Sequence, residues 1–106
     1  MAHNYEQSGG VRLGISFWMS FNLTYPFAKI DCSEEILVLK VNAIVYKREF
    51  AFSKSDVQLR EFRGLFSRGI RILHKNKEYP EFILYWTTNM QELMENLIAR
   101  GFDISK

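Results

Sequence analysis

The stretch that decides the fold is Phe82–Phe102, FILYWTTNMQELMENLIARGF, because the spacing of its apolar residues changes in the middle. Phe82-Ile83-Leu84-Tyr85-Trp86 is apolar on both alternating faces, which predicts a strand over Glu81–Thr87 covered on both sides. From Thr88 onward the period is no longer two. Met90, Leu93, Met94, Leu97 and Ile98 fall at i, i+3, i+4, i+7 and i+8, the stripe of an amphipathic helix. Thr88 with Gln91, or Asn89 with Glu92, has the spacing of a capping box. Gly101 is placed to end the helix in a left-handed turn, with Phe102 folding back onto the last turn.

Upstream of this stretch the period is two throughout. Val11, Leu13, Ile15, Phe17, Met19, Phe21 and Leu23 share one face, and Arg12, Gly14, Ser16, Trp18, Ser20, Asn22 and Thr24 share the other. This predicts one long half-buried strand, bent at Gly14 and broken at Tyr25-Pro26. Further strands are predicted at Phe27–Cys32 and Ile36–Val41, separated by a turn at Ser33-Glu34-Glu35. The next carries Ile44, Tyr46, Phe50 and Phe52 on its apolar face, with Arg48 intruding. After a turn at Ser53–Asp56 come strands at Val57–Arg63 and Ile70–His74. Seven strands and one terminal helix place the chain in the mainly β class, as a single domain over residues 11–104. Residues 1–10, polar and ending in Gly9-Gly10, are expected to form a mobile tail.

Composition narrows the function classes. A chain of 106 residues, 47% apolar and 15% aromatic, is long enough to bury a core as one domain. The net charge of +2 does not by itself call for nucleic acid. The single cysteine, Cys32, excludes an internal disulfide and fits a reducing compartment, so a cytoplasmic location is expected. The N-terminus lacks the basic start and apolar run of a signal peptide, and no window approaches the ~18 uncharged apolar residues of a membrane-spanning helix. Asn22-Leu23-Thr24 matches a glycosylation sequon that nothing else in the chain supports.

Catalysis finds no constellation. His3 and His74 are far apart, and with one cysteine they fall short of the three or four ligands a zinc site needs. No nucleophile elbow or phosphate-cradling glycine loop is present, and Cys32 sits inside a strand. No catalytic, metal-binding or cofactor-binding residue is assigned.

Two features point to binding instead. Between Arg60 and Lys77 lie Arg60, Arg63, Arg68, Arg71, Lys75 and Lys77 against one acid, Glu61, so the segment is strongly positive within a nearly neutral chain. The segment reads first as a hairpin whose turn, Gly64–Gly69, includes Phe66; if it is also a functional surface, Arg63, Arg68, Arg71 and Lys75 should converge on one side of it. Trp18 is the second feature, a large ring on an otherwise polar strand face.

The words TYPFAKI (residues 24–30), RGLFSRGIRILH (63–74) and YPEFILYW (79–86), the last running directly into the helix, resemble small bacterial pleckstrin-homology (PH)-like domains over roughly residues 15–102. The resemblance implies a seven-stranded antiparallel barrel or sandwich, with the helix plugging one end, and a role in binding. The chain departs from PH domains that grip inositol phosphates, because Leu23-Thr24-Tyr25-Pro26 is uncharged and Glu34 and Glu35 follow. The expectation is a non-enzymatic module for protein–protein interaction or self-assembly through Trp18 and a strand edge. The alternative is attachment to an anionic membrane surface through the basic 60–77 hairpin, at the inner face of the membrane. Nucleic acid is placed last, since most rings fall on core-facing positions.

Overall fold

A computed structural model describes residues 4–64 and 68–105. The first alternating run is not one strand. It divides into β1 (Tyr5–Gly14) and the start of β2 (Ser20–Cys32), joined by a tight hairpin loop. Alternation reports which face a residue is on and is blind to chain reversal, so a loop that keeps the period reads as strand. Serine and arginine side chains close this loop. Met19 N–H donates to Ser16 Oγ at 3.1 Å, Ile15 N–H donates to the Met19 carbonyl at 2.9 Å, and Arg12 donates to Ser20 Oγ at 2.6 Å and to the Phe17 carbonyl.

Tyr25-Pro26 does not break β2. The β1–β2 register passes from Val11↔Leu23 directly to Gly9↔Ala28, so residues 24–27 form a bulge outside that ladder. A proline there removes no ladder hydrogen bond.

Residues 5–10, expected in a mobile tail, are the first half of β1. They pair with β2 from Tyr5↔Cys32 to Gly9↔Ala28, and from Gly10 onward β1 also pairs with β7. Their polarity misleads because Glu6 faces solvent beside Lys29, while the two glycines lie beneath large rings. A Cβ on Gly9 would run into the Tyr85 side chain, and one on Gly10 into the Trp86 indole.

The remaining strands are β3 (Ile36–Asn42), β4 (Lys47–Ser53), β5 (Gln58–Arg63), β6 (Arg68–Leu73) and β7 (Phe82–Trp86). Helix α1 (Met90–Ala99) follows, then a two-residue β8 (Ile104–Ser105). There are thus eight strands, not seven, among the described residues. The eighth is too short to leave a pattern in the sequence. They form one sheet in the order β4-β3-β2-β1-β7-β6-β5-β8, antiparallel except for β5 with β8.

The sheet curls into a half-barrel, which brings its β4 end towards the loop after β6. The Phe50 and Phe52 rings lie 4.9 and 5.5 Å from Tyr79, whose hydroxyl accepts from Ala51 N–H. Ring centroids of Phe52 and His74 are 5.3 Å apart. The His74 ring is fixed at both nitrogens: Nε2 lies 2.7 Å from the Pro80 carbonyl oxygen and Nδ1 accepts from Asn76 N–H.

The inner face carries the core, including Leu13, Ile30, Leu39, Phe50, Ile72 and Ile83, all fully buried. Met90, Leu93 and Leu97 of α1 belong to the same cluster, whereas Met94 is half-buried and Ile98 is exposed. The helix ends as its sequence predicts. Gly101 has φ +88°, its N–H donates to the Ile98 carbonyl, and Phe102 N–H donates to Leu97. These are the two bonds of a Schellman turn, and Phe102 is buried. The start differs. No side chain of a capping box bonds the first turn; instead Thr87 Oγ1 accepts from Asn89 N–H just before it.

Candidate functional site

Strand β7 is covered on both sides, as its composition predicts, and what covers its outer side defines the first candidate surface. Phe17, in the β1–β2 loop, folds over the outer face of the sheet. It stacks on Phe62 with centroids 6.2 Å apart and meets Phe82 edge-on at 6.0 Å. Two arginines sit over these rings: Arg12 over Phe17 and Arg71 over Phe82, each with its guanidinium carbon 4.5 Å from the centroid. Phe17 therefore anchors the loop. The residue after it does the opposite. Trp18 is 86% exposed, and Ile15 and Met19 beside it are mostly exposed too. The hairpin presents an uncovered tryptophan on a loop held by hydrogen bonds at its base.

The six basic residues of 60–77 do not converge. Positions 68 and 71 are separated by an odd number along β6, so they point to opposite faces of the sheet. Arg68 lies on the inner side and donates to Glu61 Oε2 at 2.6 Å; Arg63 donates to the same oxygen at 3.2 Å. The Glu61 side chain is 3% exposed. The Arg68 hydrogen bond, reinforced by Arg63 and opposed by burial, holds its carboxyl below the ordinary glutamate value. Arg71 is on the outer face, opposite Arg60 in the β5–β6 ladder. Lys75 and Lys77 are exposed in the loop beyond the far end of β6. Phe66 lies outside the described residues.

The expected patch is therefore three separate groups, and one of them is an ion-pair cluster in which two partly exposed arginines close over the buried Glu61 carboxylate. Arg63 and Arg68 still reach solvent, yet both are committed to Glu61, and the sequence gives no sign that this carboxylate, on the same face as Leu59, is the buried member of the cluster.

Cys32 is fully buried in the core cluster, and burial pushes its thiol up, away from a reactive thiolate. Among the described residues no group of three or more His, Cys, Asp or Glu side chains is placed to share a metal ion. No described helix is long and apolar enough to cross a membrane.

A surface the sequence reading passed over lies at the β3–β4 turn. Ile44 was placed on a core-facing position, yet Ile44 and Val45 are 93% and 92% exposed. Arg48 is exposed as well, with its guanidinium 5.2 Å from the Phe50 ring, where the apolar face of β4 runs out. The available signal was the pair of β-branched residues within a short hairpin connection.

Neither protein-family models nor curated proteins give a match to this sequence. Among solved structures, the chain is similar in fold to SsgB of Streptomyces coelicolor, described in connection with mutations that correlate to longitudinal cell division during sporulation. The TM-score is 0.59 at 13% identity, covering 93% of this chain and 90% of that one.

Proposed function

We propose that the chain is a non-enzymatic, PH-like binding module of the cytoplasm that mediates protein–protein interaction or self-assembly through its β1–β2 hairpin. The observation that carries this is Trp18, 86% exposed at the tip of a loop that Arg12 and Phe17 hold in place. A tryptophan presented on a preorganised loop contributes large contact area with little ordering cost, the usual profile of an interface anchor. The PH-like part of the reading is supported by the antiparallel run β4-β3-β2-β1-β7-β6-β5 followed by a C-terminal helix, to which β8 is an addition. The likeness to SsgB concerns the fold and adds no partner.

Attachment to an anionic surface through residues 60–77 has less support. Arg63 and Arg68 are tied to Glu61, and Arg71 sits over Phe82.

The test compares wild type with Trp18→Ala in two measurements: light scattering across a concentration series, and crosslinking in cells followed by identification of the adducts. Self-association or a specific adduct that disappears in the variant supports the reading. Identical masses and adducts for both proteins, with both folded, would refute it.

A further inference from the structure

The β3–β4 connection is a two-residue loop. Ala43 N–H donates to the Tyr46 carbonyl at 2.8 Å, and Tyr46 N–H returns to Ala43 at 3.4 Å. Such loops favour Asn-Gly or similar pairs that accept positive φ. Here the two positions hold Ile44 and Val45, and no described non-glycine residue has positive φ. β-Branched aliphatics gain nothing from this turn, and at over 90% exposure they gain nothing from the core. Folding does not account for their presence.

The surroundings of the tip are basic. An open groove of about 540 Å³ beside it is lined by Lys29, Lys40, Lys47 and Arg48, with Glu49 as the one acid in its lining. Lys29 and Lys40 stand directly opposite each other in the β2–β3 ladder, an arrangement that costs stability unless an anion lies nearby. Lys29 has Glu6 at 3.6 Å and Lys40 has Asp31 at 4.0 Å. Among the described residues, Lys47 and Arg48 have no carboxylate within ion-pair distance. The turn is braced from the side, where Phe21 meets the Tyr46 ring edge-on at 5.2 Å.

We infer that the β3–β4 hairpin is a lipid-binding site that seats the domain on a bilayer containing anionic phospholipid, with Ile44 and Val45 entering the interface and the basic groove taking headgroup phosphates. Charge complementarity favours this occupant. Lys29, Lys40 and Lys47 on one face of the hairpin and Arg48 on the other flank a bare apolar tip, which matches a surface that is negative outside and apolar just beneath. A fluid interface also accepts a projecting tip without offering a shaped pocket for it. The site is distinct from the 60–77 segment and independent of the Trp18 contact.

The experiment sediments the full chain with phosphatidylcholine vesicles, with and without phosphatidylglycerol, at low and high salt. Wild type is expected to bind the phosphatidylglycerol vesicles and to release with salt. Ile44→Asn combined with Val45→Gly supplies a pair common in hairpin turns and removes two side chains that bury nothing in the fold, so the variant should stay folded while binding falls about tenfold or more. Lys47→Ala and Arg48→Ala should each weaken binding about fivefold at low salt. Trp18→Ala should bind like wild type, which separates failure here from failure of the protein-contact reading. Absence of wild-type binding to phosphatidylglycerol vesicles overturns the inference and leaves the tip to a protein partner. So does a folded turn variant that binds like wild type, or a Trp18→Ala variant that alone loses binding. Should the turn variant unfold, the two groove variants decide, and unchanged binding in both overturns the inference.

Discussion

Leu97 and Ile98 are neighbours on α1 with opposite environments, and together they test whether the helix is a wall of the core. Leu97 is fully buried, while Ile98 is 58% exposed. Leu97→Ala removes three carbon atoms; at about 0.8 kcal/mol per buried methylene, the transfer loss is about 2.4 kcal/mol. The Leu97 carbonyl also accepts from Phe102 and Arg100, so the backbone is pinned and the site collapses little. A residual cavity then raises the total to about 3–4 kcal/mol. Ile98→Ala should change stability by less than about 0.5 kcal/mol, since alanine is the better helix former and little burial is lost. Urea unfolding followed by circular dichroism measures both, and the slope of the transition should stay constant. For a domain of this size, 3 kcal/mol lowers the melting temperature by about 12–24 °C. Equal, small shifts for the two variants would refute the placement of α1 on the inner face.

Three further outcomes follow from the buried groups. The Glu61 carboxyl titrates below its ordinary value of 4.5 in the folded state, so its contribution is complete above that pH and is lost as pH falls through the lower folded value. Melting curves taken from neutral to acid pH should show this loss in wild type, and Glu61→Gln should flatten it. Arg68→Glu sets a second carboxylate against Glu61 and should destabilise by about 2–4 kcal/mol, whereas Arg60→Glu, on an exposed position, should cost less than about 0.5 kcal/mol; denaturant titration that ranks them equally would contradict the ion-pair cluster. Cys32→Ser buries a hydroxyl in an apolar core and should cost about 1–3 kcal/mol while leaving any binding activity intact, as measured in the same vesicle and crosslinking assays.

The class of the fold was legible wherever burial and local geometry agreed. The change of period at Thr88 placed α1, and Gly101 with Phe102 placed its end, because a left-handed glycine and a returning apolar residue leave a signature within a few positions. Reading failed where long-range pairing decided. Residues 5–10 look like a tail because Gly9 and Gly10 are chosen for Tyr85 and Trp86, residues at the other end of the chain. Pro26 looks like a strand break because the bulge that tolerates it exists only once β1 and β2 have paired.

The candidate surfaces were legible by composition but not by placement. Exposure of Trp18 could be raised as a question from its polar strand face. The pairing of Arg68 with Glu61 could not, since alternation gives a face and not the partner waiting on it. Ile44 was assigned inward for the same reason, its period being right and its height along the barrel unknown.

The position of β1 in the middle of the sheet has a consequence for the order of folding. β1 can pair with β2 at once, through a short loop, and β3 and β4 can extend that meander as they appear. Its second edge is filled only by β7, through pairs such as Gly14 with Phe82 and Gly10 with Trp86. Closing that contact means bringing together opposite ends of the chain, an entropic cost that places the rate among the slower, topologically complex domains. Until β7 docks, β1 offers an open row of backbone donors and acceptors, flanked by the Val11 and Leu13 side chains. During synthesis, that edge is open to mispairing with another copy.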